Sequence, residues 1–151
     1  MKLRHGDAWM PAPAYGRELS EMRTGLSINL LVADIARAVE FQTQVLGASV
    51  LYSDPDFVAV AGFGAQWCLH ADHTYDKHPL SGIAGRETGR GAGAELRLFG
   101  CDPDRAEHAA QEHGFTVLAG SIDKPHGLRE TYLLDAEGYC WVPSVAVPHD
   151  P

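Results

Sequence analysis

The chain has 151 residues, with 12 Lys and Arg against 20 Asp and Glu, a formal charge of −8. That length fits one ordinary domain, able to bury roughly 70% of its unfolded surface without help from a disulfide or metal. At 45% hydrophobic and 21% charged it is neither disordered nor fibrous, and its acidic balance argues against a nucleic-acid or anionic-membrane partner.

Lys2 and Arg4 are not followed by an apolar run, and Asp7, Pro11 and Pro13 interrupt the region. No signal peptide is expected there, and no stretch reaches the ~20 apolar residues of a membrane span. Cys68, Cys101 and Cys140 are odd in number and far apart, as in a reduced, cytoplasmic protein.

Residues 1–23 read as an N-terminal arm. A first strand is expected over 26–32. Asp34 can cap the helix that follows, whose face is Ile35, Ala38, Val39, Val45 and Leu46, and Gly47 suits its end. Three strands follow at 48–52, 57–61 and 65–70. Residues 81–93 hold five glycines and read as a linker, with Arg86 and Arg90 as solvated charges. The second half begins with a strand over 94–100. Asp102 then caps a helix with Pro103 in its first position and Gly114 at its end. Strands at 115–119, 128–133 and 139–145 complete it.

The halves repeat one another. Asp34-Ile-Ala-Arg37-Ala38 matches Asp102-Pro-Asp-Arg105-Ala106, displaced by 68 residues, and Gly64-Ala-Gln-Trp67 matches Gly138-Tyr-Cys-Trp141. Each half reads β-α-β-β-β. The predicted fold is α+β: a module over 24–80, a linker over 81–93, a module over 94–147 and a tail over 148–151.

This tandem pattern resembles the vicinal oxygen chelate superfamily of glyoxalase I, bleomycin-resistance proteins, fosfomycin-resistance enzymes and extradiol dioxygenases. Asn29-Leu-Leu-Val-Ala-Asp-Ile-Ala-Arg-Ala-Val-Glu-Phe41 with Val45-Leu46-Gly47 resembles the family's first strand and helix. Lys124-Pro-His-Gly-Leu-Arg-Glu130 and Leu134-Asp135-Ala-Glu-Gly138 resemble its late loop and last hairpin. Gln42 departs from the pattern, which often has an aromatic there. The resemblance implies mixed sheets curling around a cavity, a homodimer, and in enzymatic members one divalent metal. Whether the modules pair within or between chains stays open.

The positions corresponding to the metal ligands are Ser27, Cys68, Glu95 and Val142. A valine cannot bind a metal, and one hydroxyl, one thiol and one carboxylate suit Mg, Mn or Fe(II) poorly. No metal or other cofactor, and no catalytic residue, is therefore expected. Two-residue alternation puts Asn29 and Leu31 on the cavity wall with Ser27, His70 with Cys68, and Arg97 and Phe99 with a buried Glu95. On the late strand, either Arg129 and Thr131 or Glu130 and Tyr132 face inward. The candidate ligand-binding residues are Asn29, Cys68, His70, Glu95, Arg97, His126 and Arg129. His70, His73 and His78, with Asp72 and Asp76, form the densest group of possible ligands, read mainly as a polar loop. Trp67 and Trp141 read as core residues.

The expected function is small-molecule binding of the bleomycin-resistance type. The alternative is a glyoxalase- or dioxygenase-like metalloenzyme, a lyase or dioxygenase, with a rearranged site using Glu95 and His70. A third reading is an interaction module whose cavity is plugged by Trp67 and Phe99.

Overall fold

The structure is a computed structural model that describes residue 17 and residues 24–84 and 89–148. The arm apart from residue 17, Arg86, and the tail beyond residue 148 lie outside these residues.

The first module runs β1 (Asn29–Val32), α1 (Ile35–Glu40), a π-helical turn (Phe41–Val45), β2 (Ser49–Ser53), β3 (Phe57–Gly62), β4 (Ala65–Ala71) and a 3-10 turn (Asp72–Tyr75). The second runs β5 (Glu95–Phe99), α2 (Pro103–Glu112), β6 (Thr116–Asp123), β7 (Leu128–Leu134) and β8 (Cys140–Ala146). Each module makes one mixed four-stranded sheet. The strand orders are β1-β4-β3-β2 and β5-β8-β7-β6, the same topology twice. In each, the first strand pairs in parallel with the fourth, and the remaining pairs are antiparallel.

The repeated Asp starts each helix. Asp34 accepts from the Arg37 backbone N–H, and Asp102 from those of Asp104 and Arg105, satisfying donors that have no partner within the helix. The expected first helix is not uniform. After Glu40 it widens into the π turn, which places Phe41, Gln42 and Val45 inside. The first strand is also shorter than expected, and Ser27 precedes it.

The core lies between the sheets and both helices. It contains Leu30, Val58, Val60 and Leu69 of one sheet, Leu98 and Leu133 of the other, and Phe41, Ala106 and Ala110. Trp67 and Trp141 meet in it with ring centroids 5.5 Å apart, and Phe41 sets its ring edge-on to Phe115 at 4.9 Å. The modules share this interior, so neither buries its helix face alone.

The repeated arginines cross between modules. Arg37 donates from Nη2 to the His113 carbonyl at 2.7 Å, and Arg105 donates from Nη2 to the Val45 carbonyl at 3.0 Å. Donors and acceptors alike are corresponding residues of the two repeats. Gly47 and Gly114 end the paired helical segments at φ +76° and +73°. A Cβ on Gly47 would stand 2.9 Å from the Arg105 guanidinium, so glycine provides both the turn and the room.

The linker is anchored where a solvated charge was expected. Arg90 is buried. It donates to the Leu31 and Ala84 carbonyls and pairs with the buried Glu137 at 3.0 Å. Asp72 adds a 3.0 Å ion contact. β6 is also longer than expected, reaching Asp123 through two register shifts. Most of its residues are exposed, and the run Val117-Leu-Ala-Gly120 breaks the apolar/polar alternation expected of a strand.

Candidate ligand-binding site

Each sheet has a face turned away from the helices, and strand register decides which residues lie on it. In the first sheet Asn29 lies beside Cys68, Leu31 beside His70, and His70 beside Phe57. In the second, Glu95 lies beside Cys140, Arg97 beside Val142, and Phe99 and Glu130 beside Ser144.

The first outer face is aromatic. Phe57, Ala59 and Cys68 form a small buried cluster with Tyr52 against it. The His70 ring lies 5.0 Å from Phe57 and 5.4 Å from Tyr75. Tyr75 reaches back from the 3-10 turn to hydrogen-bond the Asn29 side chain. Burial and the nearby Cys68 push its hydroxyl pKa up. The histidine-rich segment is dispersed among separate contacts. His73 pairs with Asp56 at 2.5 Å, while His78 stacks on Tyr75 at 4.1 Å and accepts from the Leu80 backbone N–H.

The second outer face centres on Glu130, which is 2% exposed. Arg97 pairs with its Oε1 through Nη2. His126 Nε2 lies 3.2 Å from the same oxygen, and the Tyr132 hydroxyl donates to Oε2 at 3.1 Å. Burial opposes ionisation of Glu130, but His126, Tyr132 and Arg97 outweigh it and hold the carboxyl below its usual range. Burial and the Glu130 carboxylate in turn raise the Tyr132 hydroxyl. Lys124 Nζ stands 5.2 Å from the Tyr132 ring.

Arg97 and His126 thus meet at one carboxylate, with Glu95 on the same face. Asn29, Cys68 and His70 share the other sheet. Three expectations are corrected. Arg129 faces the helix side, where Asp104 takes Nε and Nη2 at 2.8 Å and Asp123 takes Nη1 at 2.9 Å. Glu130 and Tyr132 therefore occupy the outer face. Glu95 is exposed rather than buried, because β5 is the edge strand of its sheet. Phe99, 60% exposed, plugs no cavity.

A cavity of about 330 Å³ opens where the modules meet, walled by Ile28, Trp67, Leu96 and Trp141, with Glu95 and Arg97 also lining it. Its mainly apolar wall and few polar groups are usual for a small-molecule pocket.

The positions corresponding to metal ligands bring few suitable donors together. Cys68 is buried on the first sheet, and Val142 is buried on the second beside a guanidinium. Among the described residues no three His, Cys, Asp or Glu side chains converge on one point. This donor set does not fit the family's metal.

Sequence reasoning underused Glu130, Lys124 and Tyr75. Glu130 and Lys124 lie within the late-loop motif, but nothing in the motif tells which side of β7 is open. No helix among the described residues is long and apolar enough to cross a membrane.

No family model matches the sequence, and no curated protein matches it. Solved structures do. A glyoxalase/bleomycin resistance protein/dioxygenase family enzyme from Burkholderia phytofirmans PsJN superposes with a TM-score of 0.68 at 17% identity, covering 80% of this chain and 97% of that one. A glyoxalase-related enzyme from Fulvimarina pelagi gives 0.66 at 17% identity, covering 82% and 88%. The fosfomycin resistance protein FosX from Mesorhizobium loti gives 0.58 at 12% identity, covering 83% and 92%. With its two four-stranded mixed sheets and duplicated topology, the chain has the fold of the vicinal oxygen chelate superfamily.

Proposed function

We propose that the chain binds a small molecule on this fold without the family's divalent metal. The observation that carries the reading is the Arg97–Glu130 pair beside Val142, one of the positions where the family places a metal ligand. A guanidinium there repels a cation, and the carboxylate that could attract one is already bonded through both oxygens. The aromatic face around His70 and the cavity between modules supply apolar surface for a ligand.

The proposal includes a homodimer. Leu118 and Ile122 are exposed on the second sheet, and β1 and β5 are both edge strands. A second copy of the chain would cover such surfaces.

The second reading is a metalloenzyme using Glu95 and His70, favoured by the likeness to FosX and to a glyoxalase-related enzyme. Against it, among the described residues no three His, Cys, Asp or Glu side chains converge on one point, and His70 is set between two aromatic rings. Elemental mass spectrometry after incubation with Mn, Ni and Zn, on protein purified without a metal-binding tag, separates the readings. The binding reading expects far less than one metal per chain. One tightly held ion per chain, lost in Glu95→Gln or His70→Ala, would overturn it.

A further inference from the structure

We infer that the outer face of the second sheet takes an aromatic carboxylate, with the carboxylate on Arg97 and the ring against Phe99. This deepens the binding reading above and rests on it.

Arginine carries five N–H donors in a planar fork that matches a carboxylate. Arg97 spends only Nη2 on Glu130; among the described residues no protein group bonds its Nη1 or Nε. Its side chain is 37% exposed, so those donors are open to a ligand. Glu130 has the opposite status. It is buried, and both its oxygens are engaged, so it fixes the guanidinium and has little left to offer a cation.

The charges around this point favour an anion. Lys124 and the exposed His126 flank Tyr132 and Glu130. Glu95, two residues along the strand, is the opposing acid, and it is exposed and solvated. Phe99 lies on the other side of Arg97, whose Cζ is 5.2 Å from its ring centroid. A large aromatic left exposed beside a half-used guanidinium forms a two-part surface, one part for a planar anion and one for a flat apolar body. A conjugated carboxylate joins those features within one small molecule.

Benzoate, neutral benzamide and cationic benzamidine have similar shapes and different charges. Each would be titrated into the full-length chain and followed by amide chemical shifts in two-dimensional NMR. Benzoate is expected to give saturable shifts centred on residues 97 and 99, with the other two at least about tenfold weaker. Phe99→Ala removes an exposed ring and should leave the fold intact while weakening benzoate several-fold. Arg97→Met should abolish saturation. Because it strands Glu130, the double variant Arg97→Met/Glu130→Met serves as the folded control and should also fail to bind. No saturable benzoate shift, equal binding of benzamidine, or unchanged affinity in Phe99→Ala would each overturn the inference. Preferred benzamide or benzamidine binding at this face would remove the carboxylate assignment and leave metal-free binding standing. A stoichiometric metal would remove the latter whatever benzoate does.

Discussion

Gln42 accounts for the departure from the family pattern in a single contact. It is 1% exposed, and its amide oxygen accepts the Trp67 indole N–H at 2.9 Å. An aromatic there would leave that N–H without a partner, at about 1–3 kcal/mol for a buried donor. Glu130 makes a testable claim at the same scale. Its folded pKa is depressed, so its contribution to stability is present above the unfolded value of about 4.3 and is lost as pH falls through the folded value. Melting temperature measured from about pH 6 to pH 3 should therefore fall further for the native chain than for Glu130→Gln. Equal slopes would mean that Glu130 is no more stabilised in the fold than in the unfolded chain. The sequence could not choose between Arg129 and Glu130, because Leu133 and Leu134 are both apolar and alternation from either is self-consistent. The structure decides it by packing Leu133 into the core with Trp141.

At the scale of elements, the duplicated motif made most of the architecture legible, since each Asp caps a helix and each glycine ends one. The elements that escaped are those whose form depends on distant partners. The π turn exists where Gln42 meets Trp67, a residue 25 positions away. The last part of β6 is ordered by β7, with Ile122 beside Glu130 and Asp123 beside Arg129. The linker looked like a flexible glycine run because Arg90, which anchors it, finds Leu31, Asp72 and Glu137 in other parts of the chain. Arg90→Met leaves the Glu137 carboxylate buried without that cation, which should cost about 3 kcal/mol in urea unfolding. A loss below about 0.5 kcal/mol would class the contact with exposed ion pairs. The same linker needs Gly91. Its φ is +76°, and a Cβ there would run into the Tyr139 ring.

At the scale of the molecule, the shared core couples the two modules. Phe41 is fully buried, and its ring touches Phe115 and Trp141 of the second module. Phe41→Ala should cost about 3–5 kcal/mol. Far-ultraviolet dichroism and the near-ultraviolet signal of the tryptophans should still report one coincident transition. Two separated transitions would show that the modules are independent units. The candidate site was only partly legible at this scale. Alternation along β5 points to Arg97 and the late-loop motif to His126, but their meeting point at Glu130 depends on three strands coming into register.

The crossed arginines have a consequence for how such a chain can be divided. Each module offers one guanidinium and one helix-end carbonyl, and each takes the complementary pair from its neighbour. That is the geometry of a self-complementary dimer contact, closed here within one polypeptide. The linker converts an encounter between separate molecules into an intramolecular one, raising the effective concentration of each module for the other. Two fragments cut within the linker should thus retain matching surfaces and reassemble by complementation, with the connection setting how readily they meet and the arginines setting which way round.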